Sequence, residues 1–164
     1  MSFKYTSEPI TIRGAVSQTV LNTYAEETIN LNLSTLDREI MVVLRADIDL
    51  GNPDSVVGLY SSCTGSIANA AQTQTININN PDTIVAAQKA TISDGVSSVA
   101  YDNQEPISMV NADDPLYIVA TNHLFLGVDS LNATNLKTAY CVLQCRRAIA
   151  DSSTYAALLT SQLS

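Results

Sequence analysis

From Glu8 to Ala150 the chain is a succession of short segments with the residue pattern of β-strands, and this pattern constrains its fold more than any motif. In residues 27–33, for example, Ile and Leu alternate with Asn, which predicts a strand with one buried face and one face in water. The chain has 164 residues, 46% of them hydrophobic, which is enough for one domain with a core. Trp is absent and Phe occurs twice, so mainly Val, Ile, Leu and Ala must form that core. Because branched residues suit strands, we expect one all-β domain over residues 1–164.

The strand signals are separated by turn signals at irregular intervals of about 8 to 15 residues, typical of a sandwich, jelly roll or barrel. We expect eight to ten strands, while residues 63–78 are predicted as strand and loop. The pattern gives no strand order, so a jelly roll and an immunoglobulin-like sandwich both remain open. The predicted strands are Pro9–Arg13 (ended by Gly14), Val16–Leu21, Glu27–Leu33, Glu39–Leu50, Thr83–Ser93, Val96–Tyr101, Pro106–Val110, Leu116–Thr121, Leu124–Val128 and Leu136–Ala150, and Val56-Val57 with Leu59 are compatible with one further short strand.

Two of these segments have distinctive local signals. Residues 40–44 form a continuous apolar run, which predicts burial on both faces, whereas residues 45–50 alternate. Asp94-Gly95 lies between two strand segments and predicts a tight hairpin, because both central positions of such a turn favour positive φ.

The last part of the chain is predicted as a strand followed by a helix. Residues 136–150 fit helical and strand spacing equally, and we choose a strand because the early strands of an all-β fold need a partner. Asp151, Ser152 and Ser153 offer oxygen atoms that could cap a helix. Apolar residues then recur at helical spacing, which predicts an amphipathic helix over residues 152–163: Tyr155, Leu158, Leu159 and Leu163.

The charge and the cysteines exclude several classes of protein. With 16 acidic and 8 basic residues the net charge is −8, which disfavours binding to nucleic acid or anionic lipid. No apolar run reaches the roughly 20 residues of a membrane helix, and Met1 to Lys4 lead into polar sequence. We expect neither a membrane span nor a secretory signal. Cys63, Cys141 and Cys145 are odd in number, which indicates a reducing compartment, and the last two should lie buried on one face of a strand.

The sequence predicts a protein without enzymatic activity. His123 is the only imidazole, and no nucleophile motif surrounds it. Asp47, Asp49 and Asp54 form a candidate calcium site around Gly51, because hard cations prefer several carboxylates on a turn. Their spacing misses the EF-hand pattern, so solvated turn acids are the competing interpretation, and a second copy of this surface would favour a bound ion. Asp113-Asp114 is a further candidate, and no other cofactor is expected.

Two segments carry a resemblance to a known class of proteins. They are residues 38–44 followed by Asp47-Ile48-Asp49, and the tail from Arg146-Arg147-Ala148 through residues 151–159. With the overall architecture, they resemble the single jelly-roll coat (capsid) proteins of small tailless viruses, and the ending is similar to marine phage-like structural proteins. The resemblance implies a jelly roll that assembles with copies of itself, and with other virion proteins, into a symmetric shell.

The same resemblance implies a location in the virion after synthesis in the host cytoplasm. Residues 1–8 would form an N-terminal arm, and Met1–Pro9 and the helix Ser153–Leu163 would reach neighbouring subunits. Many such proteins bind their genome through a basic arm, whereas residues 1–14 carry two bases and one acid. We therefore expect direct binding to nucleic acid to be slight or absent, or to use Arg146 and Arg147.

Two other classes stay open. A phage tail or decoration subunit would also assemble with copies of itself, but into rings or tubes in place of closed shells. A non-enzymatic adhesin-like or carbohydrate-binding β-sandwich would need exposed aromatic residues, and the scarcity of Phe and Trp disfavours it.

Overall fold

The computed structural model describes residues 2–75, 77–103, 107–108 and 115–163. Within these ranges the chain forms eleven strands and one C-terminal helix. Their bounds are β1 Phe3–Tyr5, β2 Ile10–Ser17, β3 Ala25–Asn30, β4 Glu39–Leu50, β5 Tyr60–Ala68, β6 Thr83–Ser93, β7 Ser98–Asn103, β8 Ile107–Ser108, β9 Tyr117–Val119, β10 His123–Leu131, β11 Thr138–Ala150 and α1 Ser152–Leu163.

The strands form two antiparallel sheets with a nested order. In sheet A, β11 lies between β4 and the pair β1 and β2, and β4 also pairs with β8 and β9. In sheet B the order is β3-β10-β5-β6-β7. The last strand thus lies between β2 and β4, and the strand before it lies between β3 and β5. This order is that of a jelly roll, and it resolves the choice that the sequence left open.

The inward faces of the two sheets form the main core. Its members include Leu124, Leu126 and Leu143, all fully buried. The alternation predicted around β3 is confirmed, since Ile29, Leu31 and Leu33 are buried while the Asn residues between them are exposed. The segment 136–150, predicted as a strand from fold context, forms β11 from Thr138 to Ala150.

Gly14 does not end a strand, contrary to the prediction. It lies inside β2, where it pairs with Cys141. A Cβ atom at this position would lie 2.9 Å from Ile29 Cδ1 and 3.1 Å from Cys141 Sγ. The glycine therefore serves close packing between the sheets and not a turn.

A β-bulge interrupts the pairing of β4 with β11. Gln144 pairs with Arg45, whereas the next residue, Cys145, pairs with Val43. Leu44 is therefore the extra residue on β4, and the inward-facing side of this strand changes there from odd to even positions.

The apolar run of β4 is buried on both faces, as predicted, because each face packs into its own apolar cluster. Met41 and Val43 face the main core, and Ile40 and Val42 face the other side of sheet A. There they meet α1 in a second apolar cluster with Ala148 of β11 and Tyr155 of the helix.

The helix begins where the sequence predicts. Asp151 Oδ1 accepts hydrogen bonds from Thr154 N at 2.7 Å and from Ser153 Oγ at 2.8 Å. These hydrogen bonds, above all the one from the Thr154 backbone, lower the pKa of Asp151 to about 2. Asp151 is thus the N-cap of α1.

The buried face of α1 differs from the prediction at its end. Leu163 is exposed, and Gln162 is buried in its place. Its Oε1 accepts a hydrogen bond from Ala120 N at 2.9 Å, and its Nε2 donates one to Ile118 O. These two backbone groups belong to β9 and the residue just after it, so the amide satisfies polar groups that would otherwise be buried without a partner.

The hairpin of β6 and β7 is confirmed, but its turn is longer than predicted. Ser93 pairs with Ser98, so four residues, 94–97, connect the strands. Gly95 has φ +92°, and Asp94 Oδ1 accepts hydrogen bonds from Val96 N and Ser97 N. The carboxylate therefore closes a wider turn than the Asp-Gly pair alone predicts. At the other boundaries, β10 continues to Leu131, beyond the predicted strand end at Val128, and the strand predicted over Val16–Leu21 is wrong beyond Ser17, where β2 ends.

Replacing Gln162 with Ala should lower the free energy of unfolding by about 1–3 kcal/mol, because two buried backbone groups lose their partners. Chemical denaturation measures the effect. Thr160→Ala, on the exposed side of the same helix, should change it by less than about 0.5 kcal/mol. Equal effects of the two substitutions would show that the Gln162 amide does not stabilise this edge.

Candidate assembly surfaces

The structure separates the three acids of the predicted calcium site. Asp47 and Asp49 lie on the outward face of β4, between inward-facing residues of the main core. Asp54 lies in the following loop, and its Oδ1 forms an ion pair with Lys137 Nζ at 2.9 Å. The described residues contain no group of three His, Cys, Asp or Glu that could hold a metal ion. Calcium at this surface stays a prediction that requires acids from a second copy, and Asp113-Asp114 lies outside the described residues.

Asp54 organises the loop before β11. Burial raises the pKa of its carboxyl, but hydrogen bonds from Lys137 and from the backbone N–H groups of Thr134 and Asn135 outweigh burial and hold it well below the usual range. Lys137 is itself buried, and its Nζ also donates to Asn52 O at 2.9 Å. Both charges are therefore engaged in the fold.

Cys141 and Cys145 lie as the sequence predicts, and the single histidine lies at the start of a strand. His123 is exposed at the start of β10. All three cysteines are free and buried, and Cys141 and Cys145 both face the main core. Burial raises the pKa of the Cys141 thiol to about 11 and that of Cys145 to about 12. These thiols are structural apolar groups.

The basic pair Arg146-Arg147 is engaged within the subunit. Arg147 forms an ion pair with Glu39 at 2.9 Å and donates hydrogen bonds to the backbone oxygen atoms of residues 31 and 32. Arg146 Nε donates to Ser7 O at 3.0 Å, and its guanidinium lies 4.0 Å from the ring centroid of Tyr5.

The terminal segments also pack against their own subunit. Residues 2–8 do not extend as an arm, because β1 pairs with Ala148–Ala150 at the edge of sheet A. Phe3 and Tyr5 pack against the second apolar cluster beside α1. The apolar side chains that led us to predict subunit contacts here are thus partly buried within the chain, and contact with neighbours stays a prediction.

A loop covers the middle of the outward face of sheet B. Thr75 Oγ1 lies 2.9 Å from Thr64 Oγ1 of β5, and Gln72 N donates to Glu26 Oε2 at 2.8 Å. The Tyr24 hydroxyl donates to the same carboxylate oxygen at 2.8 Å. Burial and this hydrogen bond raise the pKa of Tyr24 well above its usual range. The loop therefore connects β5 to Glu26 on β3, and Tyr24, just before β3, contacts the same carboxylate.

The adjoining corner of this face is open and apolar. Register places Tyr60, Ile92 and Val99 side by side on β5, β6 and β7, and Tyr101 beside Ala90 in the next row. Val99 is 73% exposed and Tyr101 57%. Leu131 of β10 continues this second row, opposite Ser62. We call this surface the open corner; it comprises Tyr60, Ile92, Val99, Tyr101 and Leu131.

The open corner is flat and uncharged. Gln88 Nε2 donates a hydrogen bond to the Tyr60 hydroxyl at 2.8 Å, so the tyrosine side chain extends along the sheet. Ser62 and Ala90 are small and buried in the second row. The outward-facing residues of β5–β7 in these rows and the next are all uncharged: Tyr60, Ser62, Thr64, Gln88, Ala90, Ile92, Val99, Tyr101 and Asn103.

No protein-family model and no curated protein matches the chain. Three solved structures that resemble it come from viruses. It is similar to an unassembled VP1 pentamer of Washington University polyomavirus, with a TM-score of 0.47, 7% identity, and coverage of 91% of this chain and 97% of that chain. VP1 of trichodysplasia spinulosa-associated polyomavirus has a TM-score of 0.45 and 7% identity, with coverage of 88% of this chain and 97% of that chain. A protein of Desmodium yellow mottle tymovirus has a TM-score of 0.29 and 15% identity, with coverage of 87% of this chain and 87% of that chain. The strand order above, and not these likenesses, defines the fold.

In the part of the chain that the structure describes, no helix has the length and apolar character to cross a membrane.

The sequence predicted neither the open corner nor its lack of charge. Alternating Ile, Val and Tyr residues in a hairpin ordinarily indicate a buried face, and the alternation is the same whether or not a second layer covers it.

The Asp54–Lys137 pair predicts a specific dependence of stability on pH. Because folding lowers the pKa of Asp54, the pair stabilises the fold above the unfolded pKa of about 4, and this contribution is lost as the pH falls below that value. Asp54→Asn should lower the free energy of unfolding at pH 7 by about 1–3 kcal/mol and reduce its decline below about pH 4. Asp49→Asn, at an exposed position outside the pair, is the control. Urea unfolding from pH 2 to 7 measures all three proteins, and parallel curves would contradict the role of Asp54.

Proposed function

We propose that this chain is a capsid or capsid-like structural protein that assembles with copies of itself into a symmetric shell. The observation that carries the proposal is the presence of large exposed apolar side chains on opposite faces of a well-packed jelly roll. One set is the open corner of sheet B. The other set is smaller and lies on the outward side of sheet A, where the exposed side chains of Tyr140 and Leu136 border a shallow depression that Asp49 and Lys137 also line.

Two separate surfaces matter because of symmetry. A single self-complementary surface closes into a dimer, whereas two distinct surfaces allow each subunit to meet several neighbours. Apolar patches that are exposed in a monomer commonly mark sites of protein contact. A subunit with such patches on both faces has what a larger closed assembly requires.

The proposed shell protein acts without catalysis and makes little direct contact with a genome. Its cysteines are buried and its single histidine lies exposed at a strand end. The two adjacent arginines that could have met nucleic acid are engaged with Glu39, Ser7 and Tyr5. Under this proposal the protein resides in the virion after synthesis in the host cytoplasm, and other virion proteins contact the genome.

One observation favours a second candidate, a carbohydrate-binding module. Tyr60 and Tyr101 present exposed aromatic rings on one flat surface, and sugars stack on such rings. Binding of the unassembled protein to a glycan array, lost in Tyr101→Ala, would support this candidate over the shell.

Purified protein should form closed, uniform particles, visible by negative-stain microscopy after size-exclusion chromatography across a range of salt and calcium concentrations. Rings or tubes would instead identify a tail or decoration subunit. A stable monomer at high concentration under all conditions would contradict the proposal.

A further inference from the structure

We infer that the open corner of sheet B is covered by a second copy of this chain. The inference rests on the proposed function, because it identifies one of the surfaces through which the subunits would meet. Its occupant follows from the charge, shape and area of the corner.

The charge of the corner favours a second copy over other partners. Each chain carries a net charge of −8, so two copies repel each other wherever their acids meet. The outward rows of β5–β7 carry no charged side chain, whereas Asp102 of β7 lies on the opposite face and Asp129 borders the corner on β10. A basic partner would be attracted to the acidic parts of the surface and not to this corner. The corner itself holds no acid, although Asp94 in the β6–β7 turn and Asp129 on β10 lie at its border, so two acidic copies can approach there at low electrostatic cost.

The shape of the corner also favours another protein surface. The Tyr60 side chain lies along the sheet beside the small buried residues Ser62 and Ala90, so the exposed area of the corner consists mainly of the side chains of Tyr60, Ile92, Val99, Tyr101 and Leu131. A glycan needs hydrogen-bonding groups around the aromatic ring that it stacks on; Gln88 and Asn103 offer such groups on one side of Tyr101, whereas Ile92 and Val99 on its other side offer none. A flat apolar face is buried best by a second flat face.

The area is close to what a specific contact requires. A standard interface buries about 800 Å² on each partner. The five residues of the corner, each between 39% and 73% exposed, contribute on the order of 100 Å² each. Next to the corner, Val57, Leu59 and Val96 are also exposed, at 45% or more. Together these side chains approach the area of one standard contact.

Sedimentation velocity of the full chain tests this inference with a matched pair of variants. Val99→Lys introduces a charge that a second copy would have to bury, so the dissociation constant for self-association should rise at least tenfold. Leu36→Lys changes a 95% exposed residue in the loop before β4 and alters the net charge by the same amount. It should change the constant by less than twofold. Both lysines reduce the overall negative charge, so general repulsion would act in the opposite direction to the expected loss.

Cross-linking provides a second measurement that does not depend on a destabilised interface. Val99→Cys with a short bis-maleimide should give covalent dimers, and Leu36→Cys should not. The native cysteines do not interfere, because all three are buried within the fold.

The outcomes separate this inference from the proposed function. Particles that form equally well with Val99→Lys would overturn the role of the corner and leave the shell intact. Dimers that are lost in Val99→Lys, without particles under any condition, would support the corner and overturn the shell. A wild-type chain that stays monomeric, or cross-links equally through residues 36 and 99, would overturn the inference.

Discussion

The pairing of β4 with β11, with Leu44 as an extra residue, is the constraint on which the rest of this structure depends. A strand that changes register by one residue turns all its side chains to the other face. Without the bulge, a β4 that keeps Met41 and Val43 inside would also turn Arg45, Asp47 and Asp49 into the core. With it, Ala46, Ile48 and Leu50 continue the inward face, and the charged residues reach water.

The pairing of β4 with β11 also places apolar side chains on the outward side of sheet A, where α1 covers them. On the outward side of sheet A, Ile40 and Val42 lie with Ala148 and Ala150 and would be exposed without a covering element. The alanines leave room for α1, and Gln162 completes the contact by bonding the backbone beside β9. Among the described residues no helix lies on the outward side of sheet B, and the loop held by Thr64 and Glu26 covers only the middle of that face. The open corner is thus a consequence of unequal cover on the two sheets.

Much of this fold could be predicted because burial leaves a local pattern. The alternation of Ile29, Leu31 and Leu33 and the continuous run of β4 each indicated correctly which faces are covered. Residues 136–150 were ambiguous in spacing, and only the requirement for a partner strand identified them as β11. Features that depend on contacts distant in sequence could not be predicted. Gly14 looks like a turn residue until Ile29 and Cys141 lie against it, and Gln162 looks like a solvent-facing residue until β9 approaches.

The open corner could not be predicted from the sequence for the same reason. The distribution of charge shows why an uncharged apolar surface matters for association. Three of the eight cations form ion pairs within the subunit that hold loops and strand ends: Lys89 contacts Leu50 O and Asp102, Lys137 contacts Asp54, and Arg147 contacts Glu39. These contacts stabilise loops and strand ends, but they remove positive charge from the set available to attract a neighbouring subunit. Because the chain has twice as many acids as bases, salt bridges between copies are scarce by composition. Association must then depend on apolar burial at places free of acids, and sequence pattern alone cannot separate such a place from the core.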